Sequence, residues 1–283
     1  MSRDYSYYVK LTKKGAQAIF STAGSEPNPI SFDIKKDITA PNSVGTITIY
    51  NVGEEACDEF IMCAANEEFA VEFALGYKDN YSVVYQGIGK NGSKLSTDSV
   101  LYNLQVDMIG GNTKVKNSCI ALTAQSTHKQ LKEMFAQSLG LMLCNLADDN
   151  DQQIGRKYYY SGSNLITELR RFYRGKQYVS IADGQLVFTP STNSTKLTIG
   201  NTHVLTDQLF GVSPVDIGKC DFHTFLMPNI KTGEYLKIEE SSKLTQRFSG
   251  FYKVESVKHS GTIDYRNILD CSTHIIASKV VAI

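Results

Sequence analysis

Two runs near the C-terminus decide how this chain reads: Gly211–Glu240, GVSPVDIGKCDFHTFLMPNIKTGEYLKIEE, and Phe248–Ser272, FSGFYKVESVKHSGTIDYRNILDCS. Strand-like segments are punctuated by turn chemistry at Pro228-Asn229, at Thr232-Gly233 and at His259-Ser260-Gly261-Thr262. Gly233 and Gly261 suit turns that need a positive φ. In Gly250-Phe251-Tyr252-Lys253-Val254-Glu255, the period of two puts Tyr252 and Val254 on one face and Lys253 and Glu255 on the other. His259 has no partner motif beside it, so it reads as a hydrogen-bonding group of a turn and not as a catalyst.

The first 125 or so residues read the same way, with one helix. YSYYVKLT is a polar-aromatic strand. Ile30, Phe32 and Ile34 alternate onto one face of ISFDIKKDI. A turn at Pro41-Asn42 leads into VGTITIYNV, where Ile47 and Ile49 oppose Val44, Thr46, Thr48 and Tyr50. Ala56, Phe60, Ile61 and Ala64 recur at helical spacing between Glu54 and Ala65, with acids near the start. FAVEFALGY and SVVYQGIGK are strands, the second followed by a predicted turn at Asn91-Gly92. SVLYNLQVDMIG and SCIALTA add two more.

The middle is more helical. Thr127 with Gln130 forms a capping box, ahead of an apolar stripe of Leu131, Met134, Phe135, Leu139 and Met142. Ser163 is expected to cap a second helix whose Leu165, Ile166, Leu169, Phe172 and Tyr173 share a face, with Gly175 at its stop. Asp183-Gly184 inside KQYVSIADGQLVFTP signals a hairpin. The expected fold class is mainly β with a helical insert (α+β). Residues 1–125 form a first β unit with one helix, 126–212 a helix-containing middle with a hairpin, and 213–283 a second β unit.

The 283 residues carry 29 Lys plus Arg and 29 Asp plus Glu, so the formal net charge is zero. A whole-molecule field directed at nucleic acid or an anionic membrane is therefore not expected. Tyr (16) and Phe (13) are abundant and Trp is absent, which fits strands. The N-terminal MSRDYSYYVK lacks the apolar core of a secretory signal, and no apolar run approaches a membrane span of about 18 residues. The six cysteines, Cys57, Cys63, Cys119, Cys144, Cys220 and Cys271, contain no Cys-x-x-Cys pair. They are expected to be reduced and mostly buried.

Searches for chemistry select no site. There is no phosphate-binding Gly-x-x-x-x-Gly-Lys-Ser/Thr and no Gly-x-Gly-x-x-Gly opening a helix. Gly87-Gly89 and Gly110-Gly111 lie between strands and read as turns or bulges. Tyr160-Ser161-Gly162-Ser163 is not an intact nucleophile elbow. His128, His203, His223, His259 and His274 include no i, i+4 pair, and Cys220 and His223 should point to opposite faces of a strand. Asp148–Asp151 lacks the glycine and terminal glutamate of a calcium loop, leaving a solvated loop. Tyr158, Tyr159 and Tyr160 after Arg156 and Lys157 have the chemistry of a base-stacking platform, yet a plain strand accounts for them. Glu234, Glu239, Glu240 and Asp264 have no spacing that selects a carboxylate pair. Catalytic, cofactor and metal residues are accordingly expected to be none.

The order of these turns and strands resembles one family, the central hub proteins of phage baseplates (the late control D-like, tail-tube-like two-barrel hubs). Gly211 with Pro214, Phe222–Leu226 entering Met227-Pro228-Asn229, Gly233 with Leu236 and Ile238, Gly250-x-Tyr252-x-Val254, and His259 with Gly261 follow the family order. So do Phe32 and Ile34, Pro41-Asn42, Ile47-x-Ile49-Tyr50-Asn51, Val71–Tyr77 and Tyr85-Gln86-Gly87. The chain departs from the family at Met227, where a Leu-Asn-Pro run is common, and it is shorter than many hubs. The resemblance implies two tail-tube-like β-barrels per chain and a homotrimer forming a quasi-sixfold ring. That ring would adapt the sixfold tail tube to a threefold spike. Its partners would be tube, spike and other baseplate proteins in the virion, assembled in the host cytoplasm. No enzyme activity, cofactor or membrane anchor is implied, and DNA passes through the channel without sequence-specific binding. Alternatives are a tail-tip cell-wall-degrading enzyme, or a tail tube or tail completion protein.

Overall fold

The computed structural model describes residues 5–23, 27–61, 68–78, 80–96, 101–111, 118–147, 149–191, 202–206, 209–239, 246–264 and 271–280. The N-terminal part holds β1 (Tyr5–Lys13), β2 (Ala16–Ser21), β3 (Ile30–Asp37), β4 (Val44–Gly53), α1 (Glu54–Ile61), β5 (Phe69–Tyr77), β6 (Asn80–Ser96) and β7 (Leu101–Ile109). Then come β8 (Ser118–Leu122), α2 (His128–Leu139), β9 (Met142–Asn145), β10 (Tyr158–Gly162), α3 (Leu165–Phe172), β11 (Gln177–Ala182) and β12 (Gln185–Pro190). The chain closes with β13 (Thr202–Leu205), β14 (Leu209–Asp216), β15 (Lys219–Phe225), β16 (Tyr235–Ile238), β17 (Gly250–Ile263) and β18 (Ser272–Val280). Among the described residues the protein is mainly β with three short helices, as its alternating pattern requires.

Thirteen strands join in one sheet, ordered β14-β15-β18-β17-β3-β4-β7-β6-β5-β1-β2, with β16 and β13 branching from β17. Alternation decides which face is buried. Ile30, Phe32 and Ile34 point inward from β3, and Ile47 and Ile49 do so from β4. These residues share a core with Val9, Leu11, Phe60, Phe73, Tyr85 and Val106. A second core gathers α2, α3 and the β11–β12 hairpin around Leu131, Phe135, Leu169 and Phe188. A third lies among Phe222, Leu236, Tyr252, Val254, Val257 and Ile275.

The element that joins the two ends of the chain is β17. Along one edge it pairs with β18 from Phe251 to Ser260. Along the other edge its partners change. Gly250–Lys253 pair with β16, and Ser256–Ile263 pair with β3. Three backbone bonds bridge the gap between them. Gly233 N–H donates to the Val254 carbonyl and Val254 N–H to the Glu234 carbonyl, both at 2.8 Å, and Ile38 N–H donates to the Glu255 carbonyl at 3.0 Å. A register shift against β18 between Val254 and Ser256 marks the same point, where a bulge bends the strand. These bonds pair backbone groups that would otherwise be buried without partners at this point.

Several sequence expectations need correcting. The His259-Ser-Gly-Thr segment is not a turn: β17 runs through it, with His259 opposite Ile34 and Gly261 opposite Phe32. Ladder bonds on both edges outweigh the local turn preference. Asn91-Gly92 is not a turn either, because β6 continues through it with a register shift between Gly89 and Asn91. A Cβ on Gly92 would stand 2.4 Å from the Phe60 carbonyl oxygen, so glycine is there to let α1 lie on the strand. Met142 belongs to β9, beyond the left-handed cap Gly140. The residue preceding α3 is Asn164, with no side-chain cap bond, in place of Ser163. The predicted helix from Glu54 is described as far as Ile61, and Ala64 and Ala65 lie outside the described residues.

Other expectations hold. The Thr127–Gln130 capping box forms in both directions. Asp183 and Gly184 take φ of 51° and 69°, the left-handed pair a two-residue hairpin turn requires. Gly233 has φ 88°, and its Cα face lies against the middle region, since a Cβ there would meet Leu146 at 2.7 Å. The described cysteines are not in disulfides, and Cys57, Cys220 and Cys271 are buried; Cys63 lies outside the described residues. Among the described residues, no helix is long and apolar enough to cross a membrane.

Candidate assembly surface

The middle region is fastened across the point where β17 changes partners. Lys36, the fourth inward residue of β3, is only 3% exposed and reaches Asp183 at the hairpin tip, 2.6 Å away. Burial lowers the Lys36 pKa, and the Asp183 carboxylate opposes that shift. At the far end of the hairpin, the buried Lys253 of β17 donates to the Pro190 carbonyl at 2.5 Å. Ser43 N–H donates to the Ile181 carbonyl and Ile181 N–H to the Pro41 carbonyl, at 2.9 and 3.1 Å. The Pro41-Asn42 turn thus serves as a socket for β11. Further bonds tie the N-terminal strands to the C-terminal part: Tyr77 Oη donates to the Leu226 carbonyl at 2.8 Å, and Ser82 pairs with Asn229.

The residues weighed for chemistry are mostly absorbed by this framework. His259 is fully buried. Its Nδ1 lies 3.0 Å from Thr273 Oγ1, while its Nε2 has no hydrogen-bond partner among the described residues. Burial, with the nearby Lys36 cation, pushes its pKa down to about 3, so it is a neutral core group within a strand. Asp149 is not part of a freely solvated loop. It holds the fully buried Lys132 at 2.6 Å and accepts from Gln177 at 2.6 Å. Those interactions hold the Asp149 carboxyl below its usual range against the opposing effect of burial. The Lys132 ammonium also sits 4.7 Å from the Phe188 ring centre. Asp148 lies outside the described residues.

The tyrosine triplet is a strand. Tyr158 and Tyr160 face inward, each with its ring centre 6.1 Å from that of Phe135, and only Tyr159 is exposed. Glu234 is taken by His203 at 2.8 Å and Glu239 by Lys237 at 2.7 Å; Glu240 lies outside the described residues. Cys220 faces the core while His223 faces outward, as strand geometry requires. Linear spacing could not reveal one juxtaposition. The β15–β18 register sets His223 directly opposite His274, and Asp221 joins them on the same face.

Among the described residues the sheet has three open edges, β14, β2 and, on the branch, β13, which pairs with β16 alone. Among the described residues β14 pairs with β15 alone and β2 with β1 alone. Each therefore presents an edge of backbone donors and acceptors, the usual template for adding another chain's strand. The β14 edge is also apolar: Phe210 and Val215 are each 53% exposed, and Ile217 in the β14–β15 turn is fully exposed. Pro214, Asp216 and the register shifts against β15 blunt part of this edge, and the exposed apolar side chains beside them form a patch suited to cover by a partner.

Comparison with solved structures gives the class. The chain superposes on the 43 kDa tail protein of prophage MuSo2 from Shewanella oneidensis, with TM-score 0.60, 10% identity and 96% of each chain covered. A tail protein from Neisseria meningitidis MC58 matches with the same TM-score, identity and coverage. The E. coli c3393 protein matches with TM-score 0.57 and 10% identity, over 96% of this chain and 77% of that one. It is a type VI secretion component with structural similarity to the phage T4 tail proteins gp27 and gp5. No family model and no curated protein matches the sequence. At this identity the likeness is one of fold: the chain has the fold of phage tail proteins, in line with the hub resemblance of its turns and strands.

Proposed function

We propose that this chain is a structural virion protein, the central hub of a phage tail baseplate. Three copies form a ring that adapts a sixfold tail tube to a threefold spike around an axial channel for DNA. Each copy contributes two tube-like barrels, from residues 1–125 and 213–283, with strands of the helix-containing region 126–212 completing the second; β13 pairs with β16 in that sense. Tail tube, spike and other baseplate proteins are its partners, and it acts without a catalytic centre or cofactor.

The observation that carries this reading is β17. One strand pairs with β3 of the N-terminal unit and with β16 and β18 of the C-terminal unit at once, so the two β units are held from rotating independently. A rigid pair of units in one chain is what three copies need to present six equivalent positions. The fold match to tail proteins over nearly the whole chain supports the same role.

Its test is stoichiometry. Sedimentation and native mass measurement of the purified chain with its cognate spike should give three copies per complex. A monomer indifferent to spike and tube protein would overturn the reading, multiples of six would indicate a tube protein, and lysis of cell walls in zymograms would indicate a tail-tip enzyme.

A further inference from the structure

We propose that Asp221, His223 and His274 form a binding site for a divalent transition-metal ion of the zinc class on the outer face of the β15–β18 pair. Asp221 and His223 are two residues apart on β15 and so point the same way. His274 reaches them from β18, directly across from His223. One ligand atom from each of the three lies within 4.8 Å of the others. The Asp221 Oδ2 to His223 Nε2 separation is 3.3 Å. Two ligands bonded at about 2.0–2.1 Å with tetrahedral angles stand about 3.3–3.4 Å apart, so this pair already has the required spacing.

A further observation points to a missing cation. Asp221 Oδ1 is buried with no hydrogen-bond partner among the described residues, a cost that carboxylates rarely bear uncompensated. The His223 and His274 rings lie 4.1 Å apart between centres, and a shared tetrahedral ion would spread them by about 1 Å. Lys258, opposite His274 on β17, turns its ammonium to Asp33 at 2.7 Å and does not fill the site. Two imidazoles and one carboxylate suit zinc, cobalt or nickel better than the hard cations calcium and magnesium. Three protein ligands leave a fourth position open toward solvent, beside the exposed ring of Phe210, whose centre is 6.3 Å from that of His223.

The probe is Co2+, titrated into the full chain under reducing conditions and followed by visible absorption and calorimetry. One equivalent per chain should bind, with a spectrum lacking sulfur charge transfer, and should raise the melting temperature. Loss of an outer hydrogen-bond partner of a metal ligand already lowers affinity by about 10–100-fold. His274→Ala and Asp221→Asn should each therefore weaken binding at least tenfold and abolish the thermal shift. His223→Gln provides a third variant should either of these melt early without metal. His203→Gln, which alters the separate His203–Glu234 pair, should leave binding intact. Absence of one-to-one binding, a thiolate spectrum, or affinity unchanged in the ligand variants would overturn the proposal.

Discussion

The Lys36 ammonium on β3 lies 2.6 Å from the carboxylate of Asp183 at the tip of the β11–β12 hairpin. It is an ion pair between the N-terminal strands and the middle region, and both chemical partners matter. Removing one partner of a buried pair leaves the other charge without compensation and costs about 3–5 kcal/mol. Asp183→Asn keeps a residue that tolerates the φ of 51° and removes only the charge. Because Asp183 is partly solvated, the loss should fall near the lower end, about 3 kcal/mol, in urea unfolding. The double variant with Lys36→Met should recover most of it, since an apolar side chain suits that inward position.

His259 makes stability pH-dependent. Burial lowers its folded pKa to about 3 from an unfolded value of 6.5. Between those values the unfolded chain holds a proton that the folded chain refuses. The full stability is therefore present above about pH 6.5 and declines as pH falls toward 3, by about 1.4 kcal/mol per unit from this residue. His259→Gln can keep a hydrogen bond to Thr273 but cannot titrate. Its unfolding free energy should lose one proton's worth of slope across that window. An unchanged slope would show that carboxylates alone set the acid limb.

These two residues also mark where the sequence stopped being legible. Strand alternation separated the faces of β3 and β4, and turn chemistry located the Asp183-Gly184 hairpin and the Thr127 cap. Lys36 occupies an inward position that alternation alone would fill with an apolar residue, and its partner is 147 residues away. The continuity of β17 was hidden because His-Ser-Gly-Thr favours a turn until strands from both sides pair with it. The Asp221–His223–His274 cluster is set by strand register, which spacing along one segment does not encode.

Thr127 caps α2 by accepting from Gln130 N–H at 3.2 Å, while the Gln130 side chain accepts from Thr127 N–H at 2.9 Å. Thr127→Ala removes one arm of this box and should cost about 1 kcal/mol. The loss should appear as a lower urea midpoint with an unchanged m-value, because the second core packs α2 firmly through Leu131 and Phe135.

Gly92→Ala tests the reinterpreted Asn91-Gly92 pair. In a two-residue turn, alanine would be penalised for its backbone angles. Within β6 the penalty is steric, because the new methyl meets the Phe60 carbonyl at 2.4 Å. Helix α1 must shift, at a cost of about 1–3 kcal/mol. Amide exchange should accelerate in α1 specifically, and a uniform acceleration would speak against this contact.

The β14 edge carries the assembly prediction, because it combines backbone donors and acceptors with apolar side chains. Val215 and Ile217 project into solvent at its end and contribute little to the third core. Val215→Lys with Ile217→Lys adds two charges where a neighbouring copy or tail protein would dock, a device natural edges use against pairing. Monomer stability should change by no more than about 0.5 kcal/mol, as for surface substitutions generally. Association should fall at least tenfold in sedimentation, since burying an unpartnered ammonium strongly opposes contact. If the double variant assembles as well as the parent chain, β14 is not the interface. The ring would then close through the β2 edge, where Ile19 is 50% exposed, and Ile19→Lys should carry the defect in its place.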